Sequence, residues 1–190
     1  GTVKIDGKEV HIHSPKDAIK HKIAFLTEDR RTTGCFLPLS VRDNIMVCSY
    51  DQISNKMKKI SVGKEKKVCG QQIEKYAIKT PGPEQVIGNL SGGNQQKVLI
   101  SRWLLTNPEI IILDEPTRGI DVGSKSEIHK MISRLAQQGV AVIMISSELP
   151  EILGMSDRIM VMYEGRITGE VSREEASQEL IMRYASDLTD

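Results

Sequence analysis

The sequence predicts an α/β domain in which a parallel sheet carries a separate helical subdomain. Residues 110–113 form an uninterrupted aliphatic run, the pattern of a strand buried on both faces of a parallel sheet. Residues 40–78 contain no such run and are predicted to be mostly helical. Because strands lie on both sides of this helical insertion, we expect residues 40–78 to stay outside the main sheet.

Composition limits the classes of protein to consider. The 190 residues are 39% hydrophobic and 27% charged, as in a soluble globular domain. With 26 basic and 25 acidic residues, the net charge of +1 argues against a nucleic-acid partner. The longest stretch without charge, Leu135–Ser147, has thirteen residues, whereas a membrane span needs roughly 20. We therefore expect any membrane association to come through a partner protein.

The chain opens with a predicted hairpin, helix and strand. Residues 1–10 are typical of two short strands joined by a turn at Gly7. Ser14 and Pro15 predict the start of a helix that runs to Lys20. Residues 23–26 form a brief apolar strand. Nothing precedes the hairpin in this sequence, and we expect a further segment on its N-terminal side in the natural protein.

The middle of the chain is polar and then becomes helical again. Residues 56–67 carry six lysines against one glutamate, a run best interpreted as a solvated surface. Thr80-Pro-Gly-Pro83 interrupts the pattern, and a helix is predicted from Ser91 to about Leu105. After the aliphatic strand, residues 128, 131, 132 and 135 define one face of an amphipathic helix.

The C-terminal part is predicted to contain three strands and a final helix. Residues 140–145 are predicted to form a second buried strand. Residues 159–163 and 167–171 flank Glu164-Gly-Arg166, the pattern of a hairpin. Ser172 and Glu175 have the spacing of a capping box and predict the start of the last helix.

The segment Leu90–Gln96 reads Leu-Ser-Gly-Gly-Asn-Gln-Gln and is the first candidate site. Ser91 can cap the helix that follows, and the two glycines allow close approach of a phosphate to backbone amides. The helix dipole favours negative charge at the same place. Taken alone, a serine and two glycines are more often an ordinary cap and loop, so the assignment depends on the next motif.

That next motif is the pair Asp114-Glu115 at the end of the aliphatic strand. Strand ends in parallel sheets are where ligands bind. One carboxylate could serve as a magnesium ligand and the other could take a proton from water. A solvated turn is the alternative interpretation, but the buried strand before it favours the site.

Together these motifs resemble those of ABC-type ATPases, in the branch that drives sugar import. Thr27-Glu-Asp-Arg-Arg31, Lys79-Thr-Pro-Gly82 and Trp103-Leu-Leu105 extend the resemblance to the C-terminal half of the ATP-binding subunits of such importers. Importers of galactose and methyl galactoside are closest, with ribose and xylose importers next. The resemblance implies an ABC-type P-loop NTPase core with a helical subdomain and a cytoplasmic location.

The resemblance implies a role for each site residue. The signature residues would contact the ATP of a partner domain, in trans; they are Ser91, Gly92, Gly93, Asn94 and Gln95. Asp114 would hold Mg²⁺, Glu115 would orient or deprotonate the attacking water, and Asp121 would communicate across the dimer. Two positions depart from the family pattern. Glu28 stands where a glutamine is usual and Ser147 where a histidine is usual, so the local ATP site is expected to be degenerate.

The resemblance also implies partners and domain boundaries. The expected partners are a second nucleotide-binding domain (the N-terminal half of the same polypeptide), membrane permease subunits and, indirectly, a sugar-binding protein. The implied location is the cytoplasmic face of the cell membrane, peripherally bound. The domains are expected at residues 1–31, 32–106, 107–171 and 172–190: an N-terminal hairpin and Q-loop-like segment, the helical subdomain, the core strands and the C-terminal helix.

Two further observations bear on activity. No G-x-x-x-x-G-K-[ST] phosphate loop occurs in the sequence, so we expect this chain alone to bind ATP weakly and to be inactive. The alternatives are a catalytically inactive regulatory or structural half-domain and a non-transport ABC ATPase. The second is less favoured because no long basic or coiled-coil insertion is visible.

Overall fold

The computed structural model describes residues 1–54 and 60–186, which form two compact units, Gly1–Ile143 and the chain from Met144 onward. The predicted lysine-rich surface falls partly on residues 55–59, outside the described residues. No helix among the described residues combines the length and apolar character needed to cross a bilayer.

The first unit opens with the predicted hairpin. Strands β1 (Val3–Ile5) and β2 (Lys8–Val10) pair antiparallel through a two-residue turn. Asp6 and Gly7 both adopt positive φ, 49° and 75°, as a tight hairpin turn requires. Helix α1 (Pro15–Lys20) is capped by the Ser14 side chain, and β3 spans Ile23–Leu26, so these predictions are confirmed.

The helical region follows. Its described residues include a π-helical turn (Arg30–Gly34) and four α-helices. The helices are α2 (Val41–Met46), α3 (Tyr50–Ile53), α4 (Val62–Lys75) and α5 (Gly92–Leu104). None of the strands of the main sheet falls in the described part of residues 40–78, which confirms the predicted helical insertion.

A buried guanidinium holds this helical region together. Arg102 on α5 is 6% exposed. It donates to the Gly34 carbonyl at 2.8 Å, and to the carbonyl and Oδ1 of Asn44 at 2.6 and 2.9 Å. Burial lowers the pKa of Arg102. Because the acceptors belong to the π-helical turn and to α2, one side chain fixes α5 against both.

The main sheet has the order β3-β4-β5, where β4 spans Ile110–Asp114 and β5 spans Ala141–Ile145. Strands β3 and β4 are parallel, with Phe25 opposite Ile112. One face is buried through Ala24, Leu26, Ile111 and Leu113. Helix α6 (Val122–Gln137) connects β4 to β5 and buries its four predicted aliphatic residues, which confirms that prediction.

The predicted burial of the two strands on both faces is wrong. Ile110 and Ile112 of β4 are only partly buried, and in β5 Ile143 and Ile145 are 53% and 48% exposed. Strand β5 lies at the end of the three-stranded order, so only one of its long edges is paired within this sheet. An aliphatic run therefore marks the strand correctly without fixing how deeply it is buried.

The second unit packs a hairpin against helices α7 (Leu149–Met155) and α8 (Gln178–Ala185). Strands β6 (Arg158–Tyr163) and β7 (Arg166–Ser172) pair antiparallel, which confirms the predicted hairpin. The core of the unit consists of Ile159, Val161, Val171 and Ile181.

The predicted start of the last helix is wrong. Ser172 Oγ does contact Glu175 Oε2 at 2.9 Å, but the residues between them form a turn. The cap lies five residues further on, at Ser177, which accepts from the Leu180 amide at 3.2 Å, and the helix begins at Gln178. Residues 187–190 of the predicted C-terminal helix lie outside the described residues.

Candidate functional site

Helix α5 begins at the predicted phosphate-contacting residues. Ser91 holds the N-cap position, and its carbonyl accepts the first helical hydrogen bond from the Gln95 amide at 2.9 Å. Its hydroxyl, however, does not cap the helix: it accepts from Asn94 Nδ2 at 2.8 Å. The prediction that the Ser91 side chain caps α5 is therefore wrong. Ser91 itself is exposed, and its side chain leaves the amides of the first turn uncapped.

Asn94 and Gln95 are bonded within their own unit. Asn94 Oδ1 accepts from the backbone amide of Lys79 at 2.8 Å. Gln95 is 4% exposed, and its side-chain Nε2 donates to the backbone carbonyls of Ile87 and Leu90, both at 3.2 Å. These contacts hold the start of the helix in place. A direct contact of either side chain with nucleotide stays a prediction.

Gly93 is the tightest point of the site. A Cβ at this position would overlap the Oγ and Cβ atoms of Ser124, in the first turn of α6. Asp121 caps that turn by accepting from the Ser124 amide at 2.9 Å. The pKa of Asp121 is lowered, mainly by hydrogen bonds from the Ser124 amide and hydroxyl. The predicted Asp121 loop and the signature helix thus meet at one close contact.

The predicted Mg²⁺ ligand Asp114 and the predicted catalytic residue Glu115 lie where β4 ends. Asp114 is the last residue of the strand, and both Asp114 and Glu115 are partly buried. Glu115 adopts a φ of 47°, a left-handed conformation that costs a non-glycine residue about 1 kcal/mol. Its carbonyl accepts from the Arg118 amide at 3.1 Å, which closes a turn immediately after the strand.

Glu28 lies at the edge of a charged cleft. The cleft has a volume of about 400 Å³ and is lined by Glu28, Asp29, Arg30, Arg31 and Arg118. The Glu28 carboxylate forms an ion pair with the guanidinium of Arg118, which is in the loop between β4 and α6. Glu28, where the resemblance leads us to expect a glutamine, is thus tied to the loop that leads to Asp121.

Arg30 is a site residue that sequence reasoning did not single out. Its Nε donates to Gln95 Oε1 at 3.2 Å and its Nη1 to the Arg118 carbonyl at 3.4 Å. A Cβ on Gly92 would come within 2.9 Å of its Nη2. Arg30 therefore links the signature helix to the loop after β4. These partners lie 65 and 88 residues away, so no local spacing could have indicated the link.

Ser147 belongs to the second unit and follows β5 by two residues. It is exposed, and its neighbour Ser146 accepts a hydrogen bond from the Glu148 amide at 3.0 Å just before α7. A serine hydroxyl here can donate a hydrogen bond to a phosphate but carries no positive charge.

Metal binding at this site would depend on Asp114. Within residues 1–54 and 60–186 no group of three or more His, Cys, Asp or Glu side chains is arranged to hold a metal ion. A single carboxylate still fits Mg²⁺, which is usually held by one or two carboxylates together with water and substrate phosphates.

Comparisons with known proteins agree on one family. The family model described as ABC transporter matches residues 1–118. A protein of Halalkalibacterium halodurans, provisionally named a ribose/galactose/methyl galactoside import ATP-binding protein, is 56% identical over 98% of this chain and 35% of its own length. A ribose import ATP-binding protein of Clostridium tetani is 51% identical over 97% of this chain and 37% of its own length. The chain spans about a third of these relatives.

Solved structures show the same fold. A nucleotide-free ATP-binding cassette from an ABC transporter superposes with a TM-score of 0.77 and 22% identity, covering 98% of this chain and 74% of that one. A dimeric cassette bound to ADP and phosphate superposes with a TM-score of 0.73 and 20% identity, covering 89% of this chain and 72% of that one. The predicted α/β cassette fold is therefore confirmed.

Proposed function

This chain belongs to the ABC transporter family, and we propose that it is a nucleotide-binding part of a sugar importer. In this role it couples ATP binding and hydrolysis to carbohydrate uptake. The observation that carries the proposal is the start of α5. Ser91 is exposed and no side chain caps the backbone amides of the first turn, while the Asn94 and Gln95 side chains are hydrogen-bonded within the protein. This is an arrangement suited to a phosphate.

The signature residues act in trans on ATP held by a second nucleotide-binding domain, which we assign to the N-terminal half of the same polypeptide. The exposure of Ser91 supports this role, because it can reach a ligand on another domain. The close packing of Gly93 against the α6 turn that Asp121 caps supports a shared interface. Association of this chain with the second nucleotide-binding domain would bring the uncapped amides and the Ser91 hydroxyl to the γ-phosphate.

The local carboxylates carry the predicted chemistry of the site. Asp114 would supply one oxygen ligand to Mg²⁺, directly or through water, and the bound ion would supply charge neutralisation at the phosphates. Glu115 accepts a hydrogen bond from the attacking water and orients it. The tight turn after β4 fixes the direction of the Glu115 backbone.

The remaining partners follow from the same proposal. Permease subunits would bind the chain at the cytoplasmic face of the membrane, where it is peripheral, and a sugar-binding protein would act indirectly. The names of the curated relatives cover ribose, galactose and methyl galactoside, which supports a monosaccharide substrate without a preference for galactose.

The test is uptake by the complete transporter reconstituted in vesicles with its binding protein. We expect ATP hydrolysis to rise when sugar-loaded binding protein is added, and labelled monosaccharide to accumulate only with MgATP. If the rate of ATP hydrolysis does not change with sugar, and ribose, galactose and methyl galactoside are all not taken up, a non-transport ATPase would be favoured. For this chain alone, calorimetric titration with MgATP is expected to show weak binding, and submicromolar affinity would contradict that expectation.

A second candidate is a half-domain that completes the partner's ATP site but hydrolyses nothing at its own. Two observations favour it: Ser147 cannot supply the charge of an imidazole, and Glu28 is ion-paired with Arg118. Comparing the activity losses caused by Gly93→Asp and by Glu115→Gln separates the two candidates.

A further inference from the structure

The amide orientation of Asn94 is fixed by a group that can only donate. The backbone amide of Lys79 lies 2.8 Å from the Asn94 side chain. A backbone N–H has no acceptor capacity, so the atom that faces it must be Oδ1. The other end of the side chain, Nδ2, must then face Ser91, where it donates to Oγ at 2.8 Å.

This orientation determines what the Ser91 hydroxyl can do. Its oxygen already accepts from Asn94, and Asn94 Nδ2 has no acceptor for the Ser91 proton. The hydroxyl hydrogen must therefore point away from Asn94. A hydroxyl that accepts one hydrogen bond also becomes a stronger donor, because neighbouring hydrogen bonds polarise one another. Ser91 is thus preset to donate outward, toward an acceptor such as a phosphate oxygen.

We propose that Asn94 is a positioning residue that aims the Ser91 hydroxyl at the γ-phosphate, rather than a residue that contacts nucleotide. This inference rests on the proposed function. It replaces the direct role expected for Asn94 with a relay from the Lys79 amide through the Asn94 side chain to Ser91.

The segment at the origin of the relay is firmly held. Lys97, buried at 3% exposure, donates from Nζ to the Ala77 carbonyl at 2.9 Å and pairs with Glu127 Oε2 at 2.7 Å. Ile78, between Ala77 and Lys79, is 4% exposed. Asn94 and Lys97, on successive turns of α5, therefore both hydrogen-bond to the backbone of residues 77–79. These contacts hold the Lys79 amide in place, so that it can orient the Asn94 side chain.

A double-mutant cycle on ATP hydrolysis by the complete transporter tests the relay. Asn94→Ala is expected to lower kcat about threefold to tenfold, the range for one lost hydrogen bond. If Asn94 acts through Ser91, the same change in a Ser91→Ala background should lower kcat less than twofold, a non-additive result. Gln71→Ala, which removes an exposed amide from α4, is the matched control and should leave kcat unchanged.

Hydrogen exchange at the Lys79 amide is the second measurement, and it does not depend on activity. In the full-length protein, Asn94→Ala should speed exchange there, while Ser91→Ala should not. Additive losses of kcat, or unchanged protection of Lys79 in Asn94→Ala, would overturn the relay. Absence of sugar-stimulated hydrolysis in the unsubstituted transporter would instead overturn the proposed function.

Discussion

Gly93 and Ser124 occupy adjoining space so completely that residue 93 has no room for a Cβ atom. Gly93 lies in the first turn of α5, which follows Ser91, and Ser124 lies in the first turn of α6, which follows Asp121. A displacement of either helix start must therefore move the other. The glycine is required by this packing within the chain itself, in addition to any approach of nucleotide.

Gly93→Ala tests this packing. The added methyl group should destabilise the protein by about 1–3 kcal/mol, the range for overpacking a filled site. Ser124→Gly removes the opposing atoms and should restore most of the lost stability and hydrolysis in the double variant. Chemical denaturation and ATPase rates of the full-length protein provide the measurement.

The matched control for that experiment is Gly70→Ala. Gly70 is in α4, and a Cβ there would meet no atom within 4 Å. This change should be neutral or stabilising by up to about 1 kcal/mol, because alanine favours helix. If Ser124→Gly fails to rescue Gly93→Ala, the steric account of Gly93 is wrong.

Gly93→Asp and Glu115→Gln compare the two ATP sites that we propose this chain serves. The aspartate adds both bulk and a negative charge beside the γ-phosphate, so we expect sugar uptake to be nearly abolished. Glu115→Gln should leave more activity, because Glu28 and Ser147 lead us to expect a degenerate ATP site around Asp114. Uptake and ATPase rate would be measured for both variants in the complete transporter. Equal losses, or a greater loss from Glu115→Gln, would show that the local site is catalytic.

Introducing the residues that the family resemblance leads us to expect at positions 28 and 147 gives a gain-of-function prediction. Glu28→Gln together with Ser147→His should raise the ATPase rate toward double, as a second site begins to turn over. The Glu28–Arg118 pair is exposed on both sides, so its loss should cost at most about 1 kcal/mol of stability. Arg118→Gln alone, which breaks the same pair without restoring the site, is the control. An unchanged rate in the double variant would locate the defect elsewhere.

Arg102→Met tests how the helical region is held. The change leaves the carbonyls of Gly34 and Asn44 without their buried donor, and it should cost about 2–4 kcal/mol. Arg134→Met, on the exposed face of α6, should change stability by no more than about 0.5 kcal/mol. Equilibrium unfolding in denaturant measures both. A loss of unfolding free energy in Arg102→Met as small as that in Arg134→Met would mean that the Arg102 contacts contribute little to stability.

The sequence predicted the features that depend on nearby residues. The apolar face of α6, the Ser14 cap and the turn at Gly7 each depend on residues close together in the sequence. Burial of β5 could not be predicted in the same way, because it depends on what lies beside the strand. Ser172 and Ser177 show the same limit: both can cap a helix, and the choice falls to packing of the residues that follow.

The site divides along the same line. The positions of Ser91, Asp114 and Glu115 at the ends of predicted elements follow directly from the sequence. The partners of Asn94 and Arg30 do not, because Lys79, Gln95 and Arg118 reach them only through the fold. Sequence motifs here identify the candidate site residues more reliably than the residues that hold them in place.

The left-handed backbone of Glu115 has a consequence for engineering this protein. Glycine at that position would relieve the strain and would emerge as a favourable substitution in any screen that ranks variants by melting temperature. The same substitution would delete the proposed base. A library selected for heat resistance alone would therefore accumulate stable variants that lack this carboxylate, unless each round of selection also required the proposed ATPase activity.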